Sequence, residues 1–247
     1  MIAHAILLTF CLAAVWWFVR NDAAEYASFK LLTDTADRQK RFRAWILKCF
    51  LLFSGATLAG LAILGRLRAL ILLPAEFASL AGRVQSVMPA PQTLHPEFLV
   101  GFGFALAVGI IAGALAMKAS SRKTGPIVLG DIQPLMPRNW AETAWAAGLS
   151  LNAGLSEELF FRLLLPLLVT GLFRNALLGV GFAVIVFGLV HFYQGPVGIV
   201  ATTILGLALS GVYLWTGSLW IAVVVHACLD LIGLVVRPTI ARLVKRA

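Results

Sequence analysis

The chain has 247 residues, 60% of them hydrophobic and only 13% charged, with a mean hydropathy of +0.92. A soluble domain carries about a quarter charged residues, and a disordered chain lacks the apolar and aromatic residues that abound here, so both classes are excluded. Twenty basic against eleven acidic residues give a net charge of +9; in a membrane chain this excess belongs in cytoplasmic loops and does not call for a nucleic-acid partner.

The apolar residues gather in blocks of membrane-spanning length, which predicts an all-α, polytopic membrane helix bundle. The first block, 2–19, ends in Trp16, Trp17 and Arg20. Its positive charge follows the block rather than preceding it, so it reads as a retained span and not as a signal peptide. Residues 20–48 are the densest basic stretch and read as a loop. A second span is expected at about 44–64. The mixed segment 65–97, with four prolines, suggests an interfacial or re-entrant helix near 67–88. A third span, 98–117, is followed by a polar loop punctuated by Pro126, Pro134 and Pro137.

From Trp140 the chain is apolar almost to its end, broken near 171–175, 194–196 and 216–218. These breaks predict spans at 140–170, 177–193, 198–215 and 219–236, about seven transmembrane helices in all. If 20–48 is cytoplasmic, alternation places fifteen basic residues on that side and four on the other, with one inside a span. The positive-inside rule then puts the N-terminus out and the C-terminus in. The domain division expected is an N-terminal transmembrane scaffold, 1–139, and a C-terminal catalytic four-helix core, 140–247.

An ionisable residue at membrane depth is a functional candidate by default. Six stand out, all in the last hundred residues: Glu157, Glu158, Arg162, His191, His226 and Asp230. Glu158 and Arg162 are four apart and pair along one helical face. Glu157 lies about 100° around the same helix, less well matched, and so suits a general base. His226 and Asp230 are also four apart, and a carboxylate one turn from an imidazole orients it. His191 closes the fifth span.

Other residues read more plainly. His4 and His95 read as surface residues, and Cys228 as core filler. The three cysteines argue against a disulfide framework. Ser156 reads as the cap of a helix restarted after Gly154, and only weakly as a nucleophile. The tryptophans at 16, 17, 45, 140, 215 and 220 fit interfacial anchors.

This set supports water-mediated hydrolysis within the membrane, in either of two forms. Glu157 with His191 activates a water while His226 stabilises the oxyanion. Alternatively His191, His226 and a carboxylate hold a zinc ion whose water attacks. There is no HExxH motif, and no cofactor is favoured.

Three segments carry a resemblance. Glu157-Glu158-Leu-Phe-Phe-Arg162 is an EExxxR motif, Phe187-Gly-Leu-Val-His191 an FxxxH motif, and His226-Ala-Cys-Leu-Asp230 an HxxxN/D motif. In this order, over about residues 142–235, they resemble the CPBP family of type II CAAX prenyl proteases and bacteriocin-processing relatives. The resemblance implies an intramembrane endopeptidase of glutamate type. In it Glu157 and His191 activate water, Glu158 and Arg162 support them, and His226 with Asp230 face the carbonyl oxygen. If a metal were used instead, Glu157, His191 and His226 would bind it. The eukaryotic prenyl proteases have asparagine where this chain has Asp230. Ionised aspartate donates no hydrogen bond, so Asp230 is expected to orient His226, to stay protonated or to ligate a metal.

The resemblance further implies a membrane-anchored protein or peptide as substrate, the lipid bilayer as surroundings, and a bacterial inner membrane as location. The roles that fit are peptide maturation, processing of a C-terminal tail, or immunity. Two other classes were weighed: a proton-coupled transporter, which predicts internal symmetry that the two halves lack, and a catalytically idle scaffold.

Overall fold

Residues 2–31 contain neither glycine nor proline, so nothing interrupts helix propagation until Leu32 turns to extended backbone. The computed structural model describes residues 1–88 and 130–246. In it α1 runs over Ile2–Leu31, and after a three-residue turn α2 runs over Thr35–Ile63. Asp34 starts α2: its carboxylate accepts from the N–H groups of Ala36 and Asp37 at 2.8 and 3.1 Å. The expected loop at 20–48 is therefore corrected to the polar half of a helical hairpin. Hydropathy marks where the bilayer ends; helix formers such as Ala, Glu, Lys and Arg carry the helix past that level.

Gly65, at φ +66°, ends α2. Short 3₁₀ turns at Leu67–Leu70 and Ala75–Phe77 lead into α3, Ala78–Val87, where the sequence suggests an interfacial helix. Arg66 and Glu76 clasp this connection with two hydrogen bonds of 2.8 and 2.7 Å, and the Arg66 guanidinium holds the Glu76 carboxyl below its usual range. The Gln85 amide donates to the Trp215 carbonyl at 3.0 Å, which seats α3 on the end of α6. The expected third span at 98–117, and His95, lie outside the described residues.

The helix α4 spans 140–173 as Trp140–Glu158, a π-helical stretch Leu159–Leu164, and Leu165–Phe173. Asn139 caps it by accepting from the Glu142 N–H at 2.9 Å. Pro166 has no N–H to return to residue 162, and the preceding turn widens where that bond is missing. Ser156 does not restart a helix, because the helix never stops at Gly154. Its hydroxyl is buried, donating to Asn152 at 3.2 Å and accepting from Ser54 at 2.9 Å. Arg174, in the left-handed region at φ 54°, ends α4.

α5 is Ala176–Val190, α6 is Gly195–Thr216, and α7 covers 219–246 as Leu219–Leu231, a π-helical stretch Ile232–Val236 and Arg237–Arg246. Each of the four C-terminal segments expected from the sequence is helical, with ends within three residues except that the last continues past 236 to Arg246. Among the described residues there is no strand, and four helices are long and apolar enough to cross a membrane: Ile2–Leu31, Thr35–Ile63, Phe192–Thr216 and Leu219–Leu243. Ala176–Val190 is a shorter apolar helix.

α4 is the central element. It packs on α1, α2, α5 and α7, and every residue from 158 to 170 is buried, as a helix apolar on all sides requires. Phe53 of α2 meets Phe160 and Phe161 at 5.0 and 5.2 Å, and Phe161 meets Phe187 of α5 at 5.3 Å. One core thus unites the N-terminal helices with the C-terminal ones. Gly154 allows α4 and α7 to touch, since a Cβ there would lie 2.7 Å from the Ala227 backbone nitrogen.

The hairpin is anchored by Arg38, whose Nε donates to Glu142 at 3.0 Å with both side chains fully buried. The same guanidinium reaches the Pro134 carbonyl at 3.0 Å and stacks on Phe29 at 4.2 Å. Trp45 is buried against Phe29 and Phe42 and donates to Glu25 at 3.0 Å. It is not the interfacial anchor that its residue type suggests; Trp16, Trp17, Trp140 and Trp220 are exposed. His4, expected at the surface, lies against Gly171.

Candidate active site

The six ionisable residues singled out in the sequence come together around the middle of α4. Successive residues of a helix point about 100° apart, so Glu157 and Glu158 look into different surroundings. Glu158 is fully buried. Its Oε2 lies 3.1 Å from Arg162 Nε one turn on, and its Oε1 lies 2.7 Å from His226 Nδ1 on α7. His226 Nε2 lies 3.7 Å from Asp230 Oδ2, one turn further along α7. Asp230, Glu158 and Arg162 therefore form a charged row around a single imidazole.

Arg162 lies over the face of Phe187 at 4.2 Å, a cation–π contact in a dry setting. Its two terminal nitrogens have no hydrogen-bond partner among the described residues. Phe187 also packs against both histidines, with its ring centre 4.8 Å from His191 and 6.1 Å from His226. In the sequence Phe187 stands out only as a motif letter.

Glu157 points the other way, toward His191 at the end of α5, with Oε2 and Nε2 3.9 Å apart. His191 Nδ1 lies 2.8 Å from the Phe187 carbonyl. A carbonyl only accepts, so Nδ1 is the donor, and Nε2 of the neutral ring presents its lone pair to Glu157. Both groups line a cavity of about 90 Å³, far above the ~10–15 Å³ that one water needs. His226 and Asp230 are not on its wall.

Much of the remaining wall comes from the two N-terminal helices, within the segment 1–139 expected to be scaffold. Phe18, Asp22 and Tyr26 of α1 line it, as do Trp45, Cys49 and Phe53 of α2, and Leu149 and Ala153 of α4 lead up to Glu157. Each helix contributes a stripe at i, i+4 and i+8, the spacing of one helical face. That spacing was readable in the sequence. In a stretch that reads as a loop, as 20–48 does, such spacing carries no meaning until the helix is seen.

Among the described residues no three His, Cys, Asp or Glu side chains converge as a metal site needs. Glu157, His191 and His226, the set a zinc ion would use, are not among such a group, and Nδ1 of His226 is taken by Glu158.

Residues 139–232 match the family described as type II CAAX prenyl endopeptidase Rce1-like. This segment holds all three motifs and all six residues. Over this segment the chain is similar to the Rce1-like family. The matched family is one of proteases, and the long apolar helices around the segment are those of an integral membrane protein. Neither a curated protein nor a solved structure matches the chain.

Proposed function

We propose that the protein is an intramembrane endopeptidase that hydrolyses a peptide bond of a membrane-associated protein or peptide with a water activated between Glu157 and His191. The observation that carries this reading is the 3.9 Å separation of Glu157 Oε2 and His191 Nε2 on the cavity wall. It is too long for a direct hydrogen bond and suits one water donating a proton to each acceptor.

The water oxygen attacks the scissile carbonyl carbon as Glu157 takes one of its protons. The tetrahedral oxyanion would be received by His226, which lies behind the wall of the cavity in the free protein and would have to be reached by the bound peptide; as an imidazolium it donates from both nitrogens. In the free protein Asp230 faces the nitrogen that the oxyanion would meet, which gives this aspartate a part that a donating asparagine would not need. The proton on Glu157 then passes to the leaving nitrogen as the C–N bond breaks. Glu158 and Arg162 hold His226 in register. Residues 140–247 act as the catalytic core, and 1–139 as the scaffold that completes the cavity. We place the protein in a bacterial inner membrane, with about seven spans, N-terminus out and C-terminus in. A zinc mechanism has less support, because its donors do not converge.

The test uses full-length, chelator-treated protein in liposomes with a library of lipid-anchored peptides, read by mass spectrometry. Cleavage is expected to survive chelation and to fall on the order of 10²–10⁴-fold in Glu157→Gln. Loss on chelation with recovery on adding zinc would overturn the metal-free mechanism. Full activity in Glu157→Gln would remove Glu157 as the base, and a wild-type protein that cleaves no peptide would sink the endopeptidase reading itself.

A further inference from the structure

Asp22 is buried to 6% exposure in α1 and lines the cavity that holds Glu157 and His191. Ten of the eleven acidic residues lie in the described part of the chain, and eight of those have a donor or cation within reach. Glu25, for example, accepts from Trp45 and Lys48 at 3.0 and 3.1 Å, and Glu142 is held by Arg38 at 3.0 Å. Asp34 caps a helix, and Glu76 is clasped by Arg66. The two that have neither are both on the cavity wall: Glu157, which faces the His191 lone pair at 3.9 Å, and Asp22, which has no hydrogen bond or ion pair among the described residues. Lys48, on the facing helix, is engaged by Glu25 and lies over the Phe18 ring at 4.7 Å.

A carboxylate removed from water without a partner is costly, and a cation that enters beside it offsets that cost. The walls next to Asp22 are of the kind that hold cations. Phe18 and Tyr26 stand one turn to either side of it on α1, with Trp45 of α2 and Tyr193 on the same cavity. Aromatic faces and a carboxylate together favour an ammonium or guanidinium group over a neutral or acidic one.

We propose that Asp22 is a substrate-specificity residue that receives a Lys or Arg side chain of the peptide close to the scissile bond, the aromatic walls packing along its stem. This rests on the endopeptidase reading, since it takes the cavity to be where the peptide lies. Asp22 holds the substrate's charge while Glu157 and His191, on the same cavity, act on its backbone.

The experiment compares peptides whose N-terminus is blocked by the lipid anchor, so that no free amine competes. Each carries Lys, norleucine or Glu at one position along its length. Cleavage by the full-length protein in liposomes is measured, together with binding by fluorescence anisotropy. The wild-type protein is expected to prefer Lys over norleucine on the order of ten-fold or more in kcat/KM, mostly through KM. In Asp22→Asn that ratio falls to about one, and in Asp22→Arg the preference passes to Glu. A merely structural role would lower both peptides together and leave the ratio unchanged, which would overturn the assignment while cleavage itself upheld the protease. If no peptide is cleaved, the endopeptidase reading fails. Binding then decides Asp22 separately: tighter binding of the Lys peptide that is lost in Asp22→Asn sustains it, and equal binding overturns it.

Discussion

Two adjacent glutamates do different work because a helix turns through about 100° between them. Glu157 meets the cavity and His191, whereas Glu158 meets Arg162 and His226 in a dry interior. Glu158→Gln keeps the shape of the side chain and leaves Arg162 as a buried charge without a counter-ion, a change that costs about 3–5 kcal/mol. It also removes the acceptor that fixes His226. We expect the single variant to lose thermal stability and roughly 10²-fold in kcat. The double variant Glu158→Gln/Arg162→Met removes the stranded charge and should recover most of the stability, but not the rate. A double variant as active as the wild type would show that Glu158 serves Arg162 alone and does not position His226.

At the scale of the element, α4 decides the geometry. Its π-helical stretch precedes Pro166 and carries Arg162, so the helix widens at the site. Four residues before Glu158, Gly154 lets the backbone of α7 approach next to His226. Gly154→Val puts atoms where Ala227 already lies, and overpacking of this kind costs about 1–3 kcal/mol. The expected result is a Tm lower by about 2–12 °C, measured in detergent by unfolding-dependent cysteine labelling, with activity reduced as His226 shifts. Gly181→Ala, where a Cβ would meet nothing within 4 Å, should leave Tm at or above the wild-type value. Equal Tm values for Gly154→Val and the wild type would mean that α4 and α7 do not touch there. Much of α4 was legible beforehand: the four-residue spacing of Glu158 and Arg162 predicts their pairing, and the observed pair is that one. The widened turn was not, since the pattern of apolar residues alone does not distinguish it.

For the whole molecule, the question is which side of the bilayer the cavity serves. The polar halves of α1 and α2 carry seven of the fourteen basic residues of 1–139, and Asp22, Trp45 and Cys49 sit where that hairpin meets α4. The proposed orientation, in which the charge of the hairpin directs it to the cytoplasmic side, predicts a cavity that opens toward the cytoplasm. Ser28→Cys, at an exposed position near the hairpin tip, in a background with Cys11, Cys49 and Cys228 replaced by alanine, tests this. A membrane-impermeant maleimide should label it in inverted vesicles and not in intact spheroplasts. Labelling in spheroplasts would reverse the orientation.

The helical class, the membrane setting and the residues that gather at α4 followed from the sequence by itself. Helix periodicity and the cost of charge in lipid are local properties, written into spacing and composition. What only the tertiary structure decided are the relations between distant segments. Glu158 rather than Asp230 is the near partner of His226, at 2.7 against 3.7 Å, although the spacing on α7 favoured Asp230. Arg38, which reads as a surface charge in a basic stretch, is fully buried against Glu142, more than a hundred residues away. Asp22 reads as one more polar residue after a span, and becomes a cavity carboxylate once α1 continues to Leu31 and turns it toward α4. The physical reason is common to all three. Whether a charge is buried depends on what packs against it, and the packing partner is not its neighbour in the chain.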